Sequence, residues 1–316
     1  MSDDSVAPIP IISGPTAVGK TAVTIHLAGR LNAEIISADS RQVFRLIDIG
    51  TAKPTRADRA RVPHHFIDEL DLDESFSAGV FASSAEDRIS QVLSRGRLPI
   101  VTGGSMLYLH ALIAGLADIP KVRPEIRSRL NERLRNEGPL SLYEELVSVD
   151  PDFAGTLDPS KSQRIIRGLE VFYGTNEPLS AHFNTNRKPR FKYSIYILTR
   201  DRKKLYADID QRVLDMVARG FLDEVRRVRE SGYGKACNAL HTIGYKEAFA
   251  HLKGESSIDE MIWLIQQNTR RYAKRQLTWF QKYSDAIWID MDSHSIVEAG
   301  ELVADSLAKV GERSIS

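Results

Sequence analysis

The most constraining feature of this chain is the octapeptide Gly14-Pro15-Thr16-Ala17-Val18-Gly19-Lys20-Thr21, which fits the pattern G-x-x-x-x-G-K-[ST]. Its glycines let backbone N–H groups turn inward around phosphate oxygens. A helix opening near Thr21 adds the positive end of its dipole. Lys20 brings a charge, and the Thr21 hydroxyl can ligate Mg2+. A random match is expected in roughly one chain in a hundred of this length. The context argues against chance. Pro10-Ile11-Ile12-Ser13 reads as a buried strand, and Val23, Leu27, Ala28 and Leu31 recur at helical spacing just after the motif. The motif predicts a grip on a diphosphate or triphosphate, without specifying the reaction.

The pattern around it extends that expectation. Residues 33–38, with Glu34-Ile35-Ile36, read as a second strand ending at Asp39, and 77–93 read as a helix. Residues 98–102 form another short apolar run, ending at Gly103-Gly104. Strands alternating with helices predict a parallel sheet covered on both faces. From 118 to about 190 the chain reads mostly as helices, at 125–137, 140–149 and 162–173, with Pro120, Pro124, Gly138-Pro139, Pro159 and Pro178 at their joints. Strand character returns at 191–198 and 286–290. The expected fold is α/β: a three-layer parallel-sheet P-loop core from 1–117 and 191–316 with C-terminal helices, interrupted by a mostly helical insertion at 118–190.

Of the 316 residues, 42% are apolar and 27% charged, which is enough apolar material for a packed core. The net charge is +1, so any nucleic-acid surface must come from local clustering. Cys237 is the sole cysteine, which rules out an internal disulfide and a cysteine-based zinc site and fits a reducing compartment. Residues 1–6 are acidic and polar, unlike a signal peptide. No apolar run approaches the ~20 residues needed to span a bilayer. A cytoplasmic protein with no membrane association is expected.

Several other residues are placed to join the phosphate loop. Asp39 follows the second strand, where strand carboxyl ends gather around a ligand crevice. It can be read as a Mg2+-holding carboxylate, a general base, or a turn residue. Gly103-Gly104-Ser105 follows the next strand. It fits close approach of a ligand, or a simple turn with Ser105 as N-cap. Arg212, on a probable helix at 203–219 four residues after Asp208, is either a surface ion-pair partner or a cation for a leaving phosphate. The segment from Arg270 to Lys282 interleaves basic residues with Tyr272, Trp279 and Phe280. This is the composition of a nucleic-acid contact, or of a helix with core aromatics and solvated charges. Basic residues also cluster at 121–135 and 187–192. His64-His65 reads as a loop pair with no metal assigned.

Taken together, several segments resemble one family, the tRNA dimethylallyltransferases, also called tRNA isopentenyltransferases. They are the phosphate loop at 14–21, Ile-Ser-Ala-Asp-Ser-Arg-Gln-Val-Phe at 36–44, Asp-Ile-Gly-Thr-Ala-Lys-Pro at 48–54 and Gly-Gly-Ser-Met-Leu-Tyr at 103–108. Gln-Arg-Ile-Ile-Arg at 163–167 follows, with Leu169-Glu170-Val171, His-Thr-Ile-Gly-Tyr-Lys at 241–246 and Tyr-Ala-Lys-Arg-Gln-Leu-Thr-Trp at 272–279. Their order and spacing carry the likeness. The resemblance implies transfer of a dimethylallyl group from dimethylallyl diphosphate to the exocyclic N6 amine of an adenosine beside the tRNA anticodon, with diphosphate leaving. It implies Asp39 as the base. Residues 14–21, Lys20 and Arg212 would hold the diphosphate, and Mg2+ would sit at Thr21. It also implies RNA contacts from Asp39, Ser40, Arg41, Gln42, Ser105, Arg127, Gln163, Arg164, Ile165, Ile166, Arg167, His241, Thr242, Ile243, Gly244, Tyr245 and Lys246. The anticodon stem-loop would be the partner, the target base would flip out of its stack, and a monomer is expected. Ser105 stands where many relatives have threonine, and Lys246 where arginine is common, which loses bidentate geometry. Relatives with a C-terminal zinc finger need cysteines that this chain lacks.

Three other functions compete. An adenylate isopentenyltransferase shares the loop and the base, but the helical insertion and the 270–282 segment favour RNA. A P-loop ATP-dependent kinase is what the loop alone suggests. A non-catalytic RNA-binding module fits poorly with an intact loop and Asp39.

Overall fold

The computed structural model describes residues 7–117, 119–120, 122–184, 188–234 and 237–313. The acidic start at 1–6, and Lys121 and Arg187 at the edges of two basic clusters, lie outside them. The strands are β1 (Ile9–Ser13), β2 (Ala33–Ser37), β3 (His64–His65), β4 (Leu98–Gly103), β5 (Tyr193–Thr199) and β6 (Ile287–Asp290). They form one parallel sheet in the order β3-β2-β4-β1-β5-β6. The central β1 is buried along its whole length, as expected of a strand covered on both faces.

Register decides where the site lies. Ser13 pairs with Gly103 and Ser37 with Thr102, so β1, β2 and β4 end level with one another. The phosphate loop, Asp39 and Gly104-Ser105 therefore leave the same edge of the sheet, where open α/β sheets bind ligands. Gly103 is demanded by this convergence. A Cβ there would lie 2.1 Å from the carbonyl oxygen of Ala38.

Covering helices are α1 (Lys20–Arg30), α2 (Arg56–Arg61), α3 (Ala78–Ser94) and α4 (Met106–Ala114). After the insertion come α8 (Arg202–Ala218), α9 (Phe221–Glu230), α10 (Tyr245–His251), α11 (Ile258–Phe280) and α12 (Ile296–Arg313). α1 buries Val23, Ile25, Leu27 and Ala28 against Ile12, Ile35, Tyr196 and the apolar face of α12 at Ala299 and Val303. The all-parallel sheet with helical layers is the expected fold class.

His64-His65, expected on a loop, instead forms the edge strand β3, pairing with Ile35 and Ile36. Two residues are too few to show a period of two, so the sequence carries no strand signal there. His65 Nε2 lies 2.7 Å from the buried Glu34 carboxylate. Burial pushes Glu34 up, but hydrogen bonds from Arg95 and His65 prevail and hold it at about 2.

Residues 114–188 form a second compact unit. It is built on α5 (Pro124–Val149), α6 (Pro151–Ala154) and α7 (Ser162–Thr175) around Leu130, Leu142, Leu146, Ile165, Ile166 and Leu169. Within α5, Gly138 has φ 81° and ψ 171°, so the helix breaks before Pro139. Among the described residues no helix is long and apolar enough to cross a membrane.

Candidate active site

The phosphate loop is held from both sides. Lys20 Nζ arches back to donate to the carbonyls of Gly14 at 3.0 Å and Pro15 at 2.8 Å. Gln276, 1% exposed on α11, accepts from the Thr16 N–H at 2.9 Å and donates to the Gly104 carbonyl at 2.8 Å. Tyr272, one turn earlier, donates to the same carbonyl at 3.1 Å. α11 thus ties the loop after β1 to the loop after β4.

Arg212 donates from Nη1 to the Thr16 hydroxyl at 3.3 Å. Asp208, its neighbour on α8, pairs with Arg200 instead. Burial, and then the nearby Arg212, push Lys20 down to about 7 against the pull of Asp39. Burial also lowers Arg212. Two cations held this close, each paying for lost water, form a site that favours an anion.

Asp39 Oδ1 accepts from the backbone N–H of Arg41 at 2.8 Å and of Gln42 at 3.3 Å. The turn-residue reading of Asp39 is therefore geometrically true, and it points the carboxylate rather than disarming it. Ser105 Oγ accepts from the Ser40 N–H at 2.8 Å, joining the loops after β2 and β4.

Two pockets meet here. An inner cavity of about 150 Å3 is lined by Thr16, Lys20, Thr21, Gln42, Gly104 and Gln276, among others. An outer one of about 580 Å3 is lined by Ser40, Arg41, Ser105, the 241–244 segment and Lys246, with Arg271 and Arg275. Thr16, Asp39, Thr51, Arg212 and Tyr272 belong to both. The inner chamber is built for an anion. The outer one is polar with an aliphatic side at Ile209, Val213 and Ile265. A carboxylate on their shared wall can move a proton between a group in one and a leaving anion in the other.

For a divalent cation, the inner pocket offers the oxygens of Thr21 and Asp39. Among the described residues, no group of three or more His, Cys, Asp or Glu could hold a metal. That donor set fits Mg2+, which binds through one or two protein oxygens plus the phosphates of its ligand.

The remaining RNA candidates divide. On the compact unit of residues 114–188, Arg127 donates to Glu170 and to Gln163 at 3.0 Å each, and Arg167 donates to Glu170 at 2.9 Å. The two arginine side chains keep 41% and 40% of their exposure, and Arg164 is exposed. Ile165, Ile166 and Tyr245 are fully buried. The isoleucine side chains fill the unit's core and Tyr245 packs on Phe221, so what these three can offer RNA is backbone.

The 270–282 segment is not one basic face. Ala273, Gln276 and Phe280 form its buried stripe, Arg270 pairs with Asp210, and the Lys282 ammonium sits 4.1 Å from the Trp279 ring centre. Only Arg271, Tyr272 and Arg275 reach the outer pocket. The sequence placed Tyr272 only within a broad nucleic-acid segment and did not single out Gln276 as a site residue. The available signal was a glutamine within the buried i, i+3, i+7 stripe of α11.

A parallel-sheet P-loop core with paired cations and a carboxylate between two pockets defines a group-transfer protein with an anionic leaving or transferred group. Residues 42–283 match the family described as IPP transferase. A tRNA dimethylallyltransferase of Salinibacter ruber is 54% identical over 286 residues, covering 90% of this chain and 88% of that protein. A crystal structure of the full-length tRNA isopentenylpyrophosphate transferase from Bacillus halodurans aligns with TM-score 0.71 and 37% identity, over 98% of this chain and 100% of the other. A eukaryotic dimethylallyltransferase acting on tRNA aligns with TM-score 0.75 and 29% identity, over 90% of this chain and 74% of the other. The chain belongs to the IPP transferase family.

Proposed function

We propose that the protein is a tRNA dimethylallyltransferase. It transfers the dimethylallyl group of dimethylallyl diphosphate to the exocyclic N6 amine of an adenosine beside the anticodon and releases diphosphate. The observation that carries this reading is Asp39 on the wall shared by the anion-binding inner pocket and the larger outer pocket. The names of the relatives favour tRNA over free adenylate as acceptor.

The chemistry follows from that placement. An exocyclic amine is a weak nucleophile because its lone pair is delocalised into the ring. As the new C–N bond forms, Asp39 takes the N6 proton. The allylic C–O bond breaks and its electron pair leaves with the diphosphate. Lys20, Arg212 and the N–H groups of residues 14–21 stabilise the charge that develops there. Thr21 would hold Mg2+ at the inner pocket, and the ion would supply further positive charge for the leaving diphosphate. The outer pocket takes the flipped base, with Ser40, Arg41, Ser105, His241–Gly244 and Lys246 around it. Gln42 serves the inner pocket. Arg127, Gln163, Arg164 and Arg167 hold the anticodon arm through its phosphates. The enzyme acts as a monomer in the cytoplasm.

The test is to incubate the protein and Mg2+ with labelled dimethylallyl diphosphate and either unmodified tRNA or AMP. Label is expected on tRNA. Label on AMP alone would select the adenylate enzyme instead. Asp39→Ala is expected to lower turnover by ~10²–10⁴ while tRNA binding stays near wild type. Near-normal turnover in that variant would remove Asp39 as the base.

A further inference from the structure

The outer pocket has walls that come from distant parts of the chain, and one buried carboxylate joins two of them. Glu224, on α9, is 4% exposed. Its Oε2 accepts from the N–H groups of Asp48 at 2.8 Å and Ile49 at 2.7 Å. Its Oε1 accepts from the Gly50 N–H at 3.0 Å and from the Tyr245 hydroxyl at 2.5 Å. Three successive backbone donors thus converge on one side chain, the way a protein nest holds an external anion. The fit is close. A Cβ on Gly50 would lie 2.6 Å from both the Phe221 and Tyr245 rings, so only glycine lets the loop sit down on α9 and α10.

The clamped segments are pocket walls. Gly50 and Thr51 line the outer pocket on one side, and the 241–244 segment, Lys246 and Glu247 line it on the other. Gln42 donates to the carbonyls of Thr51 at 3.1 Å and Ala52 at 3.2 Å, carrying the loop's position to the strand that ends near Asp39. The far side of the loop is pinned separately. The buried Lys53 ammonium bonds the Phe44 carbonyl at 2.6 Å, Asp48 at 2.7 Å and also Asp68. Glu224 itself lines neither pocket.

We propose that Glu224 is a positioning residue for the acceptor: it sets the separation between the 48–51 loop and the 241–246 segment, and hence the width of the pocket that takes the tRNA base. This rests on the proposed transfer to tRNA. It predicts a split effect, because the donor grip at 14–21 is anchored by Gln276 and not by Glu224.

The test compares Glu224→Gln and Tyr245→Phe with wild type, whose labelling of tRNA must first be seen. Absence of that labelling would fail the functional reading and not the clamp. Glu224→Gln replaces an acceptor oxygen with an N–H2 group facing donors. It is expected to raise KM for tRNA about tenfold, the effect of one lost hydrogen bond to a charged group, while KM for dimethylallyl diphosphate stays within about twofold. Tyr245→Phe keeps the ring against Phe221 and removes one donor, so a smaller rise, about threefold, is expected in the same constant. The double variant should fall short of the product of the two effects, because both act through one carboxylate. If Glu224→Gln fails to fold, Tyr245→Phe decides. Equal rises in both KM values, or an unchanged KM for tRNA in a folded variant, would overturn the proposal.

Discussion

Lys20 is a residue whose charge depends on what the site holds. Burial and Arg212 push it to about 7 in the protein without ligand. An anion against it favours the charged form and raises its pKa again. Between about pH 7 and the raised value, binding must therefore draw in a proton, and donor affinity must weaken as pH rises through that window. Calorimetry of diphosphate binding at pH 7.5 in buffers of different ionisation enthalpy should register uptake of up to about three-quarters of a proton. Lys20→Met should abolish that uptake, which separates it from titration of the diphosphate itself. No difference between the two proteins would show that Lys20 is already charged. Asp39 and Arg212 illustrate what residue-level reading can and cannot reach. For Asp39 the sequence left a turn residue, a metal ligand and a base open, and the turn bonds to Arg41 and Gln42 are present together with a pocket-facing position. For Arg212 the neighbouring Asp208 suggested a surface pair, but Asp208 takes Arg200 and Arg212 reaches Thr16, 196 residues away.

At the scale of elements, α11 does more than cover the sheet. Its buried Gln276 bridges the loops after β1 and β4, so the phosphate loop's shape depends on a helix 260 residues later. Gln276→Ala leaves a backbone donor and a backbone acceptor without their partner, each worth roughly 1–3 kcal/mol if it stays dry. KM for dimethylallyl diphosphate should rise by about tenfold or more, with tRNA affinity near wild type. Gln276→Glu, which keeps the acceptor for Thr16, should recover part of that loss. A fall in thermal midpoint with no change in donor KM would reduce Gln276 to packing. Elements with strong local signals were legible. The runs at 10–13, 33–38 and 98–102 became β1, β2 and β4 within a residue or so at each end. Expected helices at 77–93 and 162–173 became α3 and α7 with similar shifts. The edge strand β3 was not legible, because its two residues are ordered by pairing with β2 and by Glu34, not by any local preference.

At the scale of the whole molecule, the net charge of +1 gives no general attraction to RNA. In the proposed reading, binding rests on local sets such as Arg127 and Arg167 on Glu170, and the arginines of α11 at the outer pocket. Arg127→Ala should weaken tRNA binding roughly tenfold and lower the slope of log affinity against log salt by about one unit, with donor KM unchanged. A salt slope equal to wild type would mean Arg127 meets no phosphate. What the sequence determined by itself was the alternation that makes a parallel sheet, and the loop that grips phosphate. Both are short-range, being set by apolar spacing and by a few glycines over a single strand–loop–helix unit. What only the tertiary structure decided was the company that loop keeps. Gln276, Arg212, Tyr272 and the Glu224 clamp on the 48–50 loop become neighbours of the site through strand order and helix packing. Such contacts join groups tens to hundreds of residues apart, and no local pattern in the chain encodes which of its buried polar groups will meet.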